Sequence, residues 1–285
     1  MSLTAPRRTP WRSPSVLPGF GVTFGFSMFW LGLIVLIPLA GIFTRAASLG
    51  LSDFFTILVD PRILEALKLS FGGALIGALI NTLVGPVVAW VLVRYEFYGR
   101  GIVDAVIDLP FALPTAVAGL ALAALYAPNG WLGAPLADAG IKVLFTPLGV
   151  IIALTFIGLP FVVRTLQPVL ADLEPEIEEA AATLGASRWQ TIRKILLPAL
   201  LPTLLTGFAL AFARAVGEYG SVIFIAGNLP YKSEIAPLLI IIKLEEFNYP
   251  AATAIAAIML VMSFLILLIV NLLQGWARRR TGYAG

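Results

Sequence analysis

Six long apolar stretches, almost free of charge, divide this chain of 285 residues. About 20 apolar residues in a helix are enough to cross a hydrocarbon layer of about 30 Å. The stretches lie at about Phe20–Phe43, between Lys68 and Arg94, at about Leu109–Tyr126, Leu144–Val163 and Ala199–Ala226, and between Glu246 and Arg278. We therefore predict an all-α, polytopic integral membrane protein with six transmembrane helices.

The composition supports a membrane protein independently. Hydrophobic residues make up 59% of the chain and charged residues 12%, whereas about 25% of residues are charged in soluble domains. The net charge of +3 comes with no dense basic patch, which argues against a nucleic-acid partner. The chain has no cysteine and no histidine. That composition excludes disulfides, thiolate or imidazole metal sites, and catalysis by either residue type.

The distribution of arginine and lysine predicts the orientation. Most of the basic residues that flank the spans fall on one side if the N-terminus is cytoplasmic, as the positive-inside rule requires. Six spans then place both termini in the cytoplasm. A cleaved signal peptide is the alternative for the first segment, but its apolar region is longer than the 7–15 residues of a signal peptide.

Three regions follow from this arrangement. Residues 1–64 hold a loose cytoplasmic arm, the first transmembrane helix and an outer loop. Residues 65–275 hold the other five spans and the connections between them, and residues 276–285 form a basic cytoplasmic tail.

The loop between the fourth and fifth spans, about residues 164–198, has the local signals of two short helices joined by a tight turn. Pro175 suits the start of a helix. The acidic residues just after it are favourable there, because the N-terminal end of a helix carries a partial positive charge. Gly185 can take the left-handed conformation that ends this helix. Ser187 and Gln190 have the spacing of a capping box that begins the second helix. An ordinary amphipathic hairpin would show the same pattern.

The same loop resembles the EAA signature of permease subunits of ATP-binding-cassette importers. The matching positions are Glu179, Ala180, Ala181, Gly185, Ile195, Leu197 and Pro198. The resemblance implies a type I importer permease fold, in which Glu179, Ala180, Ala181 and Gly185 couple the chain to a separate ATPase. No G-x-x-x-x-G-K-[ST] phosphate loop occurs here, so ATP and Mg²⁺ are expected on that partner and this chain is not expected to be an enzyme.

Further stretches narrow the resemblance to T-type (CysT-like) permeases of sulfate/thiosulfate importers. They are residues 108–120, 160–170, 217–220 and 247–252, and the likeness runs from about Pro18 to Gln274. It implies a W-type permease partner forming a heterodimer, two ATPase subunits, an extracytoplasmic sulfate-binding protein, and a bacterial or plastid-type inner membrane. Molybdate or tungstate permeases share the Gly217–Gly220 element, so a different oxyanion is an alternative.

Two charged residues lie inside the fifth predicted span. Each charge costs about 2.5–3.5 kcal/mol at the centre of a membrane helix. Arg214 and Glu218 are four residues apart, so they can pair on one helix face. We interpret the pair either as a packing device or as part of the anion pathway.

The third span contains Pro110 and Pro114, which remove backbone donors and free the carbonyls four residues earlier. Thr115 and nearby N–H groups could contact an oxyanion. The segment is thus a candidate pathway element, and a simple proline kink is the alternative.

Two other functional classes fit a polytopic chain less well. A secondary anion transporter would not need the EAA loop, and no inverted repeat is visible. An intramembrane enzyme would need converging catalytic groups, and no Ser/His set or pair of intramembrane carboxylates is present.

Overall fold

The computed structural model describes residues 19–281, and every regular element in that range is a helix. The predicted arm at residues 1–18 and the last residues of the tail, 282–285, lie outside the described residues. The helices are α1 Phe20–Ala47, α2 Leu51–Leu58, α3 Pro61–Arg94, α4 Arg100–Ile107, α5 Leu109–Ala112, α6 Thr115–Tyr126, α7 Gly133–Asp138, α8 Pro147–Asp172, α9 Glu176–Thr183, α10 Arg188–Val216, α11 Val222–Ala226, α12 Ala236–Glu245 and α13 Tyr249–Thr281. The all-α prediction is confirmed for residues 19–281.

Five helices in the described range are long and apolar enough to cross a membrane: α1, α3, α8, α10 and α13. They match the first, second, fourth, fifth and sixth predicted spans. Several begin earlier or end later than expected, because their caps lie outside the uncharged stretch. For α3, Pro61 occupies the first turn and the Asp60 carboxylate accepts the N–H of Arg62 at 2.8 Å.

The third predicted span is not one continuous helix. It consists of the short α5, an extended link at Leu113 and Pro114, and α6 with 12 residues. At 1.5 Å per residue, α6 reaches about 18 Å, which is shorter than the hydrocarbon layer. Proline explains the break, because its ring disfavours helical backbone at the preceding residue, and Leu113 has an extended ψ of 137°.

The core of the molecule is the packing of α3, α8 and α10 against one another. Small residues allow this close approach: a Cβ added at Gly77 of α3 would lie 3.2 Å from the backbone nitrogen of Thr155 in α8. Helix α13 packs on α10 and α12, while α1 contacts α13. The apolar window of α1 has no residue buried in this chain, so α1 lies at the periphery of the bundle.

The two ends of the bundle differ in how the chain is fixed. At one end Arg62 donates to both carboxylate oxygens of the buried Glu234, at 2.8 and 2.7 Å. Close by, the Ser70 hydroxyl accepts the N–H of Ala236 at 2.8 Å. These bonds tie α3 to the start of α12. The other end carries the connection from α8 to the membrane-spanning part of α10, which we call the hairpin (residues 173–198) and which contains α9 and the first turns of α10.

Candidate functional site

The hairpin begins later than the sequence suggests, because α8 continues to Asp172 and leaves the loop at Leu173. Pro175 is the N-cap of α9, and three glutamates stand in the first turn of that helix, where the helix dipole favours negative charge. The predicted stop is confirmed: Gly185 has φ +80°. The N–H groups of Gly185 and Ala186 donate to Ala182 and Ala181, both at 3.0 Å, which is a Schellman ending.

The second helix of the hairpin starts as predicted, at a capping box. The Ser187 hydroxyl accepts the Gln190 N–H at 3.3 Å, and the Gln190 side chain accepts the Ser187 N–H at 2.8 Å. A π-turn at Ile192–Leu196 then leads into the membrane-spanning part of α10. The hairpin is therefore shaped mainly by hydrogen bonds within itself.

The hairpin exposes apolar side chains around its turn. Leu184 is 88% exposed and Trp189 is 68% exposed. Glu179, Ala180 and Gly185 are also exposed, whereas Ala181 is buried. Large exposed apolar side chains within one short segment are typical of a protein contact surface.

The hairpin is fastened to the bundle through Arg94, the last residue of α3. Its guanidinium donates to the Leu173 carbonyl at 2.7 Å and lies 3.4 Å from the Glu178 carboxylate. It also stands over the Trp90 ring, 5.5 Å from the ring centre. Nothing in the sequence alone indicates this contact, because the partners are about 80 positions apart.

A second break lies between α10 and α11, at residues 217–221, which we call the buried turn. The fifth predicted span does not run through to Ala226: α10 ends at Val216, and the chain turns at Gly217. The prediction that Arg214 and Glu218 share one helix face is therefore wrong, because Glu218 lies beyond the end of the helix. The prediction that they pair is confirmed, since Arg214 donates to the Glu218 carboxylate.

The Glu218 carboxylate is the centre of the buried turn. Its side chain is 2% exposed, and it accepts both the N–H and the hydroxyl of Ser221 at 3.0 Å. These bonds offset the cost of removing the charge from water. The Arg214 side chain is 34% exposed, and among the described residues only Glu218 accepts a hydrogen bond from it. The guanidinium thus keeps donors that are free to bind another group.

The structure brings part of the third predicted span against the buried turn. A Cβ at Gly119 in α6 would overlap the Ser221 carbonyl and lie 2.7 Å from the Ser221 Cα. A Cβ at Gly220 would overlap the Thr115 hydroxyl. The first turn of α6, which follows Pro114, is therefore in contact with the turn that holds Glu218.

Pro110 lies in different surroundings. It stands in the first turn of α5, where a missing N–H costs nothing, so it does not break a helix. Its neighbours are fixed to α8: Phe111 packs edge-on against Phe161 at 5.0 Å, and Asp108 accepts from Arg164 at 2.8 and 2.5 Å. The structure does not join Pro110 to the buried turn.

Arg164 also donates to Asp104 in α4 at 2.8 Å. The bond from Arg164 lowers the pKa of the Asp104 carboxyl below its ordinary value, and the Gln167 side chain adds a smaller effect in the same direction. This cluster of Arg164, Asp104 and Asp108 was not predicted from the sequence. The spacing of Asp104 and Asp108, one helical turn apart beside an apolar segment, was the available signal.

The residues described here, 19–281, bring together no group of three acidic, cysteine or histidine side chains that could hold a metal ion.

Comparison with known proteins places these features in a family. Residues 81–283 match the family model described as "Binding-protein-dependent transport system inner membrane component". The chain is 52% identical over 253 residues to the "Sulfate transport system permease protein CysT" of Synechocystis, covering 89% of this chain and 88% of the relative. It is 47% identical over 272 residues to the Escherichia coli protein of that name, covering 95% and 98%.

Solved structures with the same fold are more distant in sequence. A bacterial ABC transporter that imports the acidic polysaccharide alginate superimposes with a TM-score of 0.73 at 19% identity, covering 90% of this chain and 94% of that chain. The MetNI methionine ABC transporter gives a TM-score of 0.52 at 17% identity, with 75% and 94% covered.

Proposed function

Because the chain belongs to the family of inner-membrane components of binding-protein-dependent transport systems, we propose that it is the membrane-spanning permease subunit of an ATP-driven sulfate importer. The observation that carries this proposal is the similarity to sulfate permeases at 52% and 47% identity over nearly the whole chain. Oxyanions close to sulfate, such as thiosulfate, belong to the same substrate class.

The hairpin is the element that receives energy from ATP. Glu179, Ala180, Ala181 and Gly185 shape it, and the exposed Leu184 and Trp189 supply an apolar surface that an ATPase subunit would cover. Burial of two such side chains contributes about 1.5–3 kcal/mol each. ATP and Mg²⁺ are then bound by that partner, and the permease chain itself catalyses no reaction.

The buried turn and the start of α6 line the anion pathway. Arg214 attracts a dianion, and its ion pair with Glu218 reduces that attraction. An unpaired arginine in a low-dielectric channel would hold sulfate too tightly for an importer, because the interaction of charges strengthens as water is excluded. Pro114 opens the backbone before Thr115, and Pro110 starts the preceding short helix, whose neighbouring residues are fixed to α8.

The assembly that this function requires has a second permease of the W type, two ATPase subunits and an extracytoplasmic sulfate-binding protein. Both termini, the hairpin and Arg94 lie in the cytoplasm, while Arg62 and Glu234 face the binding protein's side. The excess of basic residues on the hairpin side supports this orientation.

Reconstituted uptake tests the proposal. The permease heterodimer, its ATPase and the sulfate-loaded binding protein are placed in liposomes, and radiolabelled sulfate uptake is followed with ATP or with a non-hydrolysable analogue. We expect uptake only with hydrolysable ATP and with the binding protein present. Equal uptake with the analogue would assign the chain to secondary transport, and competition by molybdate but not by thiosulfate would assign a different oxyanion.

A further inference from the structure

Arg94, at the end of α3, is sheltered from solvent for a reason that neither the packing of the core helices nor the exposed surface of the hairpin accounts for. Arg94 is mostly buried, with 15% of its side chain exposed, and so is its partner Glu178, with 17% exposed. Exposed ion pairs contribute little to stability, but a sheltered arginine that also binds a backbone carbonyl is costly to remove. Arg94 is an arginine of this sheltered kind, because it binds the Leu173 carbonyl at 2.7 Å and pairs with Glu178 at 3.4 Å.

Both contacts of Arg94 lie on the hairpin. Leu173 directly follows the last residue of α8, and Glu178 lies in the first turn of α9. The second arginine near Glu178 is Arg188, but it is 3.9 Å away and 86% exposed. Arg94 is therefore the buried attachment between α9 and the membrane bundle.

One N–H donor of the Arg94 guanidinium makes no hydrogen bond within residues 19–281. Its Nε is buried and has no acceptor among the described residues, whereas a guanidinium fork can donate two parallel bonds to a carboxylate. Glu178 is therefore held at one edge of the fork. A small displacement of α9 changes how well this contact is made, so the contact is sensitive to the position of the hairpin.

Helix α3, which carries Arg94, is placed to transmit a displacement of the hairpin to the rest of the bundle. α3 packs along both α8 and α10, and at its far end Arg62 holds Glu234 with two bonds at 2.8 and 2.7 Å. The hairpin continues directly from α8 and into α10, whereas Arg94 gives it a hydrogen bond and an ion pair to the end of α3. Arg94 therefore adds a direct polar link from the hairpin to α3, beside the packing of α3 on α8 and α10.

We propose that Arg94 is a positioning residue of energy coupling: it makes α3 move with α8 and α10 when the hairpin is displaced. This inference rests on the proposed function, since it takes the hairpin as the part that an ATPase moves. Docking of the ATPase is expected not to depend on Arg94, because its side chain is 15% exposed, whereas Leu184 and Trp189 are 88% and 68% exposed.

The test uses the complete reconstituted complex with Arg94→Ala, Arg94→Lys and the control Arg100→Ala. Arg100 is an exposed basic residue beside the same helix end, so its removal makes an equal change in charge. For Arg94→Ala we expect sulfate uptake to fall at least tenfold while the ATPase still co-purifies and hydrolyses ATP. Lysine keeps the charge but lacks the planar guanidinium fork, so Arg94→Lys should lose about threefold, and Arg100→Ala should match the parent.

Uptake by Arg94→Ala within twofold of the parent would overturn the inference, and so would loss of the ATPase during purification, which would make Arg94 a docking residue. If Arg94→Ala does not accumulate in the membrane, Glu178→Gln takes its place, with an expected threefold loss and the same overturning result.

A distance measurement separates this inference from the proposed function. The chain has no cysteine, so spin labels can be placed at Glu96→Cys and Thr183→Cys, two exposed positions on either side of the contact. We expect one narrow distance distribution in the parent and a broad one with Arg94→Ala. An unchanged distribution would overturn the inference. Failure of the parent complex to transport sulfate would instead count against the proposed function and leave the distance result standing.

Discussion

The hairpin and the buried turn both connect longer helices, yet they differ in their surroundings. The hairpin is exposed and is shaped by its own neighbours in sequence: the Gly185 ending and the Ser187–Gln190 capping box each join residues a few positions apart. The buried turn also has local bonds, from Arg214 and Ser221 to Glu218, but it is enclosed by tertiary contact, with Gly119 of α6 packed on the Ser221 backbone. A part that binds a separate subunit can be locally stable and exposed, whereas a part inside the membrane must satisfy its polar groups within the bundle.

The largest effect is expected from a substitution that disrupts the buried turn. Gly119→Leu places a side chain where the Ser221 backbone already lies, with the Ser221 Cα 2.7 Å from the new Cβ. Backbone cannot move aside as a flexible side chain can, so we expect a loss of folded protein of at least tenfold, measured by size-exclusion chromatography of a fluorescent fusion. Gly217→Ala is the control in the same turn: its φ is −87° and no atom lies within 4 Å of the new Cβ. A monodisperse Gly119→Leu protein would refute the tight packing.

The next largest effect is expected from a substitution that distorts the turn of the hairpin but leaves the helix bundle folded. Gly185 has φ +80° and open space around its Cα, so Gly185→Val is opposed by backbone strain alone, about 1–3 kcal/mol. We expect normal amounts of folded protein but at least a tenfold loss of sulfate uptake. Asparagine tolerates positive φ, so Gly185→Asn should keep most of the uptake. Equal activity of the valine and asparagine variants would show that the turn conformation is unimportant.

A smaller effect concerns the charge in the buried turn. Glu218→Gln keeps an oxygen for Ser221 but removes the negative charge that faces Arg214. If Glu218 moderates the attraction of Arg214 for the anion, the variant should bind sulfate more tightly and transport it about tenfold more slowly, which corresponds to about 1.4 kcal/mol. Calorimetry on the permease–ATPase complex without binding protein measures the affinity. Tighter binding is not expected from Ser221→Ala, which loosens the turn and keeps the charge pair.

The smallest effect is a dependence of stability on pH at the α4–α8 contact. The pKa of Asp104 is lowered in the folded protein by the Arg164 bond, so its stabilisation is complete above the pKa of about 3.9 that an unperturbed aspartate has. It is lost as the pH falls through the lowered folded-state pKa. Thermal unfolding between pH 3 and 7 should show a decline at the acid end that is weaker in Asp104→Asn. The carboxylate is 43% exposed, so the difference is small.

The hairpin and the buried turn also differ in how far the sequence predicts them. Gly185, the capping box and the long helices depend on local chemistry, and the sequence indicates them correctly. The end of α10 at Val216, the contact of Thr115 with Gly220, and the bond of Arg94 to Leu173 depend on how distant helices pack. Apolar periodicity carries no information on those contacts, because lipid-facing and buried surfaces of a membrane helix are equally apolar. The break at Pro114 was recognisable as a possible kink, but its place against the buried turn was not.

We propose that the hairpin serves energy coupling and that the buried turn serves passage of the anion. The most direct test measures, in one reconstituted system, both the ATP hydrolysis stimulated by loaded binding protein and the sulfate taken up, for Gly185→Val and for Arg214→Lys. We expect Gly185→Val to lose the stimulation and the uptake together, and Arg214→Lys to retain the stimulation while its uptake falls. If Arg214→Lys loses stimulation as fully as Gly185→Val, or Gly185→Val retains both activities, the division of roles between the two regions is contradicted.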